Sequence, residues 1–303
     1  MTERTPTLPA KPHVQRAFDR AAESYDAHAV LQREIADRLF ERLDYIKLAP
    51  QRTLDMGSGT GYATRKLRER FPASALISLD IAPSMLRVAE QQLPRKPILA
   101  RLFGSSSTDH FLCADAEALP LANASIDFIL SNLAIQWCDP EHVAKEAARV
   151  LTPTGLFMFT TFGPDTLKEL RAAFRSVDDA QHVNNFVDMH DIGDILVHAG
   201  FADPVMDQET ITLTYQDLNA ILRDLKGIGA STVLPGRARG LTGKSRFATL
   251  RTAYEQFRQD DRLPATFEVV YGHAWKPATR ARKSTDGTQT IGLEDVKAML
   301  RKR

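Results

Sequence analysis

The sequence predicts an α/β fold: a doubly wound, mostly parallel sheet with helices on both faces. Two observations carry this. Short apolar strands alternate with helix-period segments between residues 53 and 161, the rhythm of β-α-β units. A glycine turn, Gly57-Ser58-Gly59-Thr60-Gly61, joins the first strand to the helix after it, where open α/β sheets bind ligands.

The elements follow in order. Residues 13–48 read as helical: Val14, Phe18, Ala21, Ala22 and Tyr25, then Leu31, Ile35, Leu39 and Leu43, recur at steps of three and four. The period then changes. Residues 53–56 and 75–79 read as strands, each followed by a helix, over 62–70 and 84–92, the second opened by Pro83. Further strands are expected at 111–114, 126–131 and 156–161, with a helix over 141–150 started by Asp139-Pro140. Later come helices over 166–174, 191–199, 215–226 and 245–258, and strands over 210–214 and 266–275. Residues 94–110, with Gly104-Ser105-Ser106-Ser107, and 163–189 read as insertions. The organisation is an N-terminal helical cap over 1–48, a main domain over 49–275 with a late helical, basic segment at 215–258, and a loosely attached basic tail over 276–303.

Composition narrows the function. The 303 residues include 39 Lys or Arg and 38 Asp or Glu, a net charge of +1. That balance excludes whole-surface attraction to nucleic acid or membrane, though not a local patch. Two cysteines, Cys113 and Cys138, cannot form a disulfide framework or a four-thiolate zinc site, and no metal is expected. Residues 1–12 lack the apolar core of a signal peptide, and runs such as 156–159 are too short to span a bilayer. A cytoplasmic enzyme or binding protein is expected.

The glycine turn discriminates among ligands. A dinucleotide fingerprint spaces its third glycine one position later, and here that position is Tyr62. Asp55 stands two residues before the first glycine, where it would repel a pyrophosphate and favour a cation. S-adenosylmethionine fits, with an ammonium, a sulfonium and no phosphate. Asp80, 19 residues past Gly61 at the end of the second strand, is placed to bind both ribose hydroxyls. Asp115-Ala116 ends the third strand, in reach of the adenine edge.

This order of strand, loop, Asp80, Asp115 and the segment 127–137 resembles the class I S-adenosylmethionine-dependent methyltransferases, over about residues 13–275. Three narrower segments resemble one branch, the malonyl-[acyl-carrier protein] O-methyltransferases of biotin synthesis: residues 18–26 (FDRAAESYD), 131–138 (SNLAIQWC) and 225–231 (LKGIGAS). The resemblance implies a Rossmann-like, seven-stranded methyltransferase domain that esterifies the free carboxyl of a malonyl thioester. The implied cofactor set is Asp55, Gly57, Ser58, Gly59, Gly61, Asp80, Ile81, Asp115, Ala116 and Asn132. Two alternatives stay open. One is a class I methyltransferase acting on a free small-molecule carboxylate or a quinone precursor. The other is a methyltransferase-like assembly factor for respiratory complexes, whose Phe-Gly-x-Asp-Thr-Leu run resembles residues 162–167.

A carboxylate acceptor is already ionised at pH 7 and needs no general base. The sequence offers no Ser/His/Asp or Cys/His arrangement, and its eight histidines are scattered. Tyr25 is either a lid over the methyl donor or a core aromatic; Gln136 and Trp137 either wall the pocket or pack on the next helix. Thr160 and Thr161 either donate to the substrate carboxylate or are ordinary strand threonines. Residues 223–251 carry seven basic side chains, among them Arg223, Lys226, Arg237, Arg239, Lys244 and Arg246, against the single acid Asp224. That segment is either a docking face for an acidic acyl-carrier protein or a solvated basic face.

Overall fold

The computed structural model describes residues 10–93, 109–230 and 243–278. Its sheet is built from β1 (Arg52–Met56), β2 (Ala75–Asp80), β3 (Asp109–Cys113), β4 (Ile126–Asn132), β5 (Leu151–Phe162), β6 (Ala202–Tyr215) and β7 (Leu263–Trp275). The order across it is β3-β2-β1-β4-β5-β7-β6. The first five strands run parallel, and β7 lies antiparallel between β5 and β6. The chain winds outward from β1 to β3, then returns to place β4 against the other side of β1. The switch point therefore lies between β1 and β4, and the crevice at their carboxyl ends is where such a sheet takes ligands.

Strand periodicity sorts the core into two layers. Phe128 and Leu130 of β4 and Leu156 and Met158 of β5 face one side. Ile129, Phe157 and Phe159 face the other, because successive side chains point to opposite faces. On the first side pack α3 (Val30–Leu43), α4 (Tyr62–Arg70), α7 (Lys168–Arg175), α9 (Leu218–Gly227) and α10 (Lys244–Glu255). On the second pack α6 (Pro140–Val150) and α8 (Met189–His198), while α5 (Pro83–Gln92) lies along β2 and β3. Each cap follows from sequence: Asp139, Asp188 and Asp217 accept from backbone N–H groups in the first turns of α6, α8 and α9.

Three expectations change. The helical stretch 13–48 becomes α1 (Lys11–Ala21), α2 (Tyr25–His28) and α3, and ends at Leu43. Tertiary bonds at Asp26 fix the break: it accepts from Thr60 Oγ1 at 2.5 Å and Gln92 Nε2 at 2.8 Å, and its backbone oxygen accepts from Arg33. Strand β6 starts at Ala202, eight residues before the expected Thr210, because it is an edge strand whose solvent-facing positions, Val205 aside, are polar. Tyr215 closes that strand, and α9 begins only after Asp217. The expected insertion at 94–110 lies outside the described residues except for Asp109 and His110, which open β3. The tail beyond residue 278 also lies outside them. No described helix is long and apolar enough to cross a membrane.

Candidate functional site

The glycine turn leaves β1 at the switch point. Gly57 has φ of +79°, and a Cβ there would sit 2.2 Å from the Ala134 side chain, so this turn and the loop after β4 touch. Gly59 has φ of +53° and open space on its Cβ side. Its N–H donates to Asp80 Oδ2 at 2.9 Å, and Ala82 N donates to Oδ1 at 2.8 Å. Burial raises the Asp80 carboxyl to about 6, the two backbone donors oppose this, and the Asp19 charge adds to it. Gly61 packs on Ala89 of α5 and lines no described cavity.

Gly57, Gly59, Asp80, Ile81, Met85, Asp115, Ala116 and Leu133 line one cavity, roofed by α1 through Lys11, Val14 and Phe18. Lys11, which sequence reasoning passed over, pins that roof. Its Nζ donates to Asp115 Oδ1 at 2.9 Å, Glu117 Oε1 at 2.7 Å and Cys138 Sγ at 3.2 Å. The three acceptors cluster tightly enough to hold a cation, and the ammonium supplies that charge. Burial pushes the Cys138 thiol up to about 11 despite the neighbouring ammonium, so it stays protonated at neutral pH.

A second compartment adjoins at Gly57, Gly59, Tyr25 and Asn132. Among the described residues, three of its side-chain oxygens are buried without a hydrogen-bond partner: Gln32 Oε1, Asp55 Oδ1 and Ser58 Oγ. Asp55 Oδ2 accepts from Thr64 Oγ1 at 2.6 Å. Burial raises the Asp55 carboxyl to about 7, the Thr64 bond opposes this, and the Asp80 charge adds to it. Arg33 brings a guanidinium to the same compartment. Burial, with the Asp80 and Asp26 charges, holds the Tyr25 phenol well above its ordinary range, so it remains a neutral hydroxyl. Acceptors short of donors beside one guanidinium suit an α-ammonium and an α-carboxylate. Asp80 suits a ribose, and Ile81 with Met85 an adenine face. The residues therefore fit the expected S-adenosylmethionine. Asp55 stands on β1, as the sequence places it, and Asn132 holds α3 through Nδ2 to Gln32 O at 3.1 Å.

The three narrow segments meet in space. Phe18 lies edge-on to Trp137, with ring centroids 5.4 Å apart. A Cβ on Gly229 would come 3.1 Å from the Phe18 ring, and one on Gly227 would come 2.4 Å from the His28 ring. His28 Nδ1 and Asp224 Oδ1, 3.0 Å apart, tie α2 to α9. Trp137 lines both the α1-roofed cavity and a further one of about 270 Å³ between the end of β5, α7 and α9. Sequence reasoning missed most of this further wall, since Phe186, Leu222 and Leu225 read as ordinary apolar positions until the topology gathers them.

The threonine and glutamine expectations are corrected. Thr160 is fully buried; its hydroxyl donates to Asn132 Oδ1 at 2.8 Å and accepts from Leu133 N at 2.9 Å, so it shapes the loop and faces no cavity. Gln136 folds back onto Leu133 O at 2.7 Å, with Thr161 Oγ1 donating to it at 3.5 Å, and neither lines a described cavity. The run 162–167 is a turn locked to β7: Glu268 fills the space beside Gly163 and accepts from Asp165 N at 2.7 Å. Of the basic face, Arg223, Lys226 and Lys244 are exposed, Arg246 pairs with Asp178, and Arg237 and Arg239 lie outside the described residues.

Residues 54–159 match a family model described as a methyltransferase domain. In solved structures the fold is shared with the Bacillus subtilis YcgJ protein (TM-score 0.53, 18% identity, 79% of this chain and 97% of that one). It is also shared with the [4+2]-cyclase SpnF (TM-score 0.55, 17% identity, 91% and 100%). A fold that also serves a cyclase does not fix the reaction, and here sequence identity is far more specific. The malonyl-[acyl-carrier protein] O-methyltransferase of Laribacter hongkongensis is 54% identical over 93% of this chain and 94% of its own. That of Gallionella capsiferriformans is 55% identical over 93% and 95%, and that of Xylella fastidiosa 44% over 88% of each. With identity at that level across nearly the whole of both chains, this chain belongs to the malonyl-[acyl-carrier protein] O-methyltransferase family.

Proposed function

We propose that the protein transfers a methyl group from S-adenosylmethionine to the free carboxylate of a malonyl thioester on an acidic acyl-carrier protein, giving a methyl ester early in biotin synthesis. The observation that carries the reading is the contrast across Trp137. On the donor side stand Asp55 and Asp80, suited to a cationic nucleoside, with Asp115 already paired to Lys11. On the far side, among the described residues, no Asp or Glu lines the cavity; His182 lines it paired with Asp178, and Lys226 is at its edge. An amine or guanidine acceptor calls for a carboxylate there, to hold the cation or take its proton. An anionic acceptor calls for none. The alternative of an assembly factor rests on the run 162–167, and here that run forms the turn locked on Glu268.

When bound, the cofactor supplies an electrophilic methyl on a sulfonium, and displacement by a carboxylate oxygen forms the C–O bond as the C–S bond breaks. The chain's work is alignment and exclusion of water. Gly59 N–H and Ala82 N–H hold Asp80 in place before any ligand arrives. Thr160 sets Asn132 and Leu133, and the Phe18–Trp137 pair closes the wall beside the donor cavity. No side chain is needed to take a proton, because none is released.

The test is methyl transfer from labelled S-adenosylmethionine to malonyl-carrier protein, malonyl-coenzyme A and malonate. Label released as methanol by mild alkali is expected from the thioesters. Label that survives alkali would rule out a carboxyl ester.

A further inference from the structure

The cavity beyond Trp137 has features that the methyl-donor side does not use. Phe162, Leu167, Phe186, Leu222, Leu225 and Phe267 make it aromatic and aliphatic. Four polar side chains interrupt that wall; Thr166 donates to Glu268 O and His182 pairs with Asp178, which leaves Asn184 and Lys226. Asn184 Oδ1 is buried with no hydrogen-bond partner among the described residues. The segment carrying it is held: Arg171 donates to Pro164 O at 2.8 Å, Thr166 O at 3.1 Å and Asn184 O at 3.4 Å. An oxygen buried without a donor is costly in a folded protein and is explained where a ligand N–H satisfies it. The other group is Lys226, exposed on the last turn of α9, where the cavity meets solvent.

We infer that this cavity receives the phosphopantetheine arm bearing the malonyl thioester, with Asn184 accepting an amide N–H of the arm and Lys226 meeting its phosphate at the mouth. The inference rests on the carboxyl-methylation reading and adds the route by which the acceptor reaches the donor. The arm is a run of methylenes broken by two secondary amides and ended by a phosphate. Its methylenes match the aromatic wall, an amide N–H matches the single orphaned oxygen, and the phosphate matches an ammonium in solvent. The thioester end then lies at Trp137, the side chain shared with the donor cavity. Coenzyme A and a carrier protein present the same arm, so this cavity treats them alike, and only the surface around the mouth separates them.

The experiment reads binding and chemistry separately. The chain has two tryptophans, so Trp275→Phe leaves Trp137 as the reporter. Phosphopantetheine and pantetheine are titrated against its emission. Methyl transfer is measured with malonyl-pantetheine, malonyl-coenzyme A and malonyl-carrier protein. Phosphopantetheine should bind about tenfold tighter than pantetheine, and Lys226→Gln should erase that difference. Asn184→Ala should weaken both ligands by about fivefold, and Ala230→Phe, which fills the cavity, should abolish both. In catalysis Lys226→Gln should lower kcat/KM about tenfold for coenzyme A and carrier substrates and leave malonyl-pantetheine unchanged. Calorimetric S-adenosylmethionine affinity confirms that each variant is folded. Equal losses on all three substrates, or arm binding that survives Ala230→Phe, would overturn the assignment. Arm binding without methyl transfer to any malonyl thioester would instead overturn the methylation reading and leave the arm site standing.

Discussion

Asp80 accepts from the glycine turn and lines the cavity proposed for the cofactor. Its two oxygens already accept from Gly59 and Ala82, so a ribose meets a carboxylate that does not reorganise. Charge-assisted bonds of this kind contribute about 1.5–3 kcal/mol each. Asp80→Ala should therefore weaken S-adenosylmethionine at least about tenfold with the fold intact, as calorimetry and circular dichroism will read. Asp55 and Asp80 also give the site a pH dependence, since burial lifts them to about 7 and about 6. Their folded values lie above the ordinary carboxyl range. Without ligand, their contribution to stability is therefore complete below about pH 4 and is lost as pH rises through about 6 and 7. A cationic ligand prefers the ionised forms. The rise in Tm on adding S-adenosylmethionine should thus be small near pH 5.5 and large near pH 8, about a tenfold change in affinity per pH unit for each proton released. Equal shifts at both pH values would remove these carboxylates from cation recognition.

At the scale of elements, the joint between α1, α2 and α9 is where residues 18–26 and 225–231 meet. Gly229, at φ of +72°, brings the end of α9 against Phe18, and Gly227 brings it against the His28 ring. Gly229→Val forces a branched side chain into the left-handed region against an aromatic ring, at about 1–3 kcal/mol. The expected outcome is a Tm lower by several degrees and faster hydrogen exchange in α1 as well as α9. Exchange changed in α9 alone would show that the joint does not hold the roof. The strands were legible in the sequence because apolar runs such as 128–130 and 156–159 are buried on both faces. The joint was not, because a contact between residues 18 and 229 is a product of topology and has no local pattern. The break at Tyr25 was hidden for the same reason: the bonds that fix it reach Thr60 and Gln92.

For the whole molecule, charge is nearly balanced at +1, so attraction to the proposed acidic carrier has to come from where charges stand. Exposed Arg223, Lys226 and Lys244 remain available, whereas Arg246 is neutralised by Asp178. Counting basic residues along 223–251 found the face but could not see that pairing, 68 positions away. Changing Arg223 and Lys244 together to Glu should raise KM for malonyl-carrier protein by about fivefold in low salt, with a smaller effect near 0.5 M. Malonyl-coenzyme A should be nearly unaffected. Equal losses on the two substrates would place these side chains in folding or in the site. That the glycine turn, Asp80 and Asp115 would share one cavity was legible because they sit at successive strand ends, a fixed consequence of β-α-β winding. The acceptor half draws on β5, α7, α9, β7 and the loop around Asn184, and no stretch of sequence holds enough of it to be read.

Trp137 gives the enzyme two doors. The donor cavity is bounded by α1 and the ends of β2 and β3, the acceptor cavity by α7, α9 and the loop around Asn184, and among the described residues only Trp137 lines both. Neither ligand has to pass through the other's place, so the order of arrival is free. Initial-rate lines for the two substrates should intersect. S-adenosylhomocysteine should compete with the methyl donor alone, and an unreactive thioester with the acceptor alone. A compulsory sequence, donor first, would mean that α1 must settle before the second door can open.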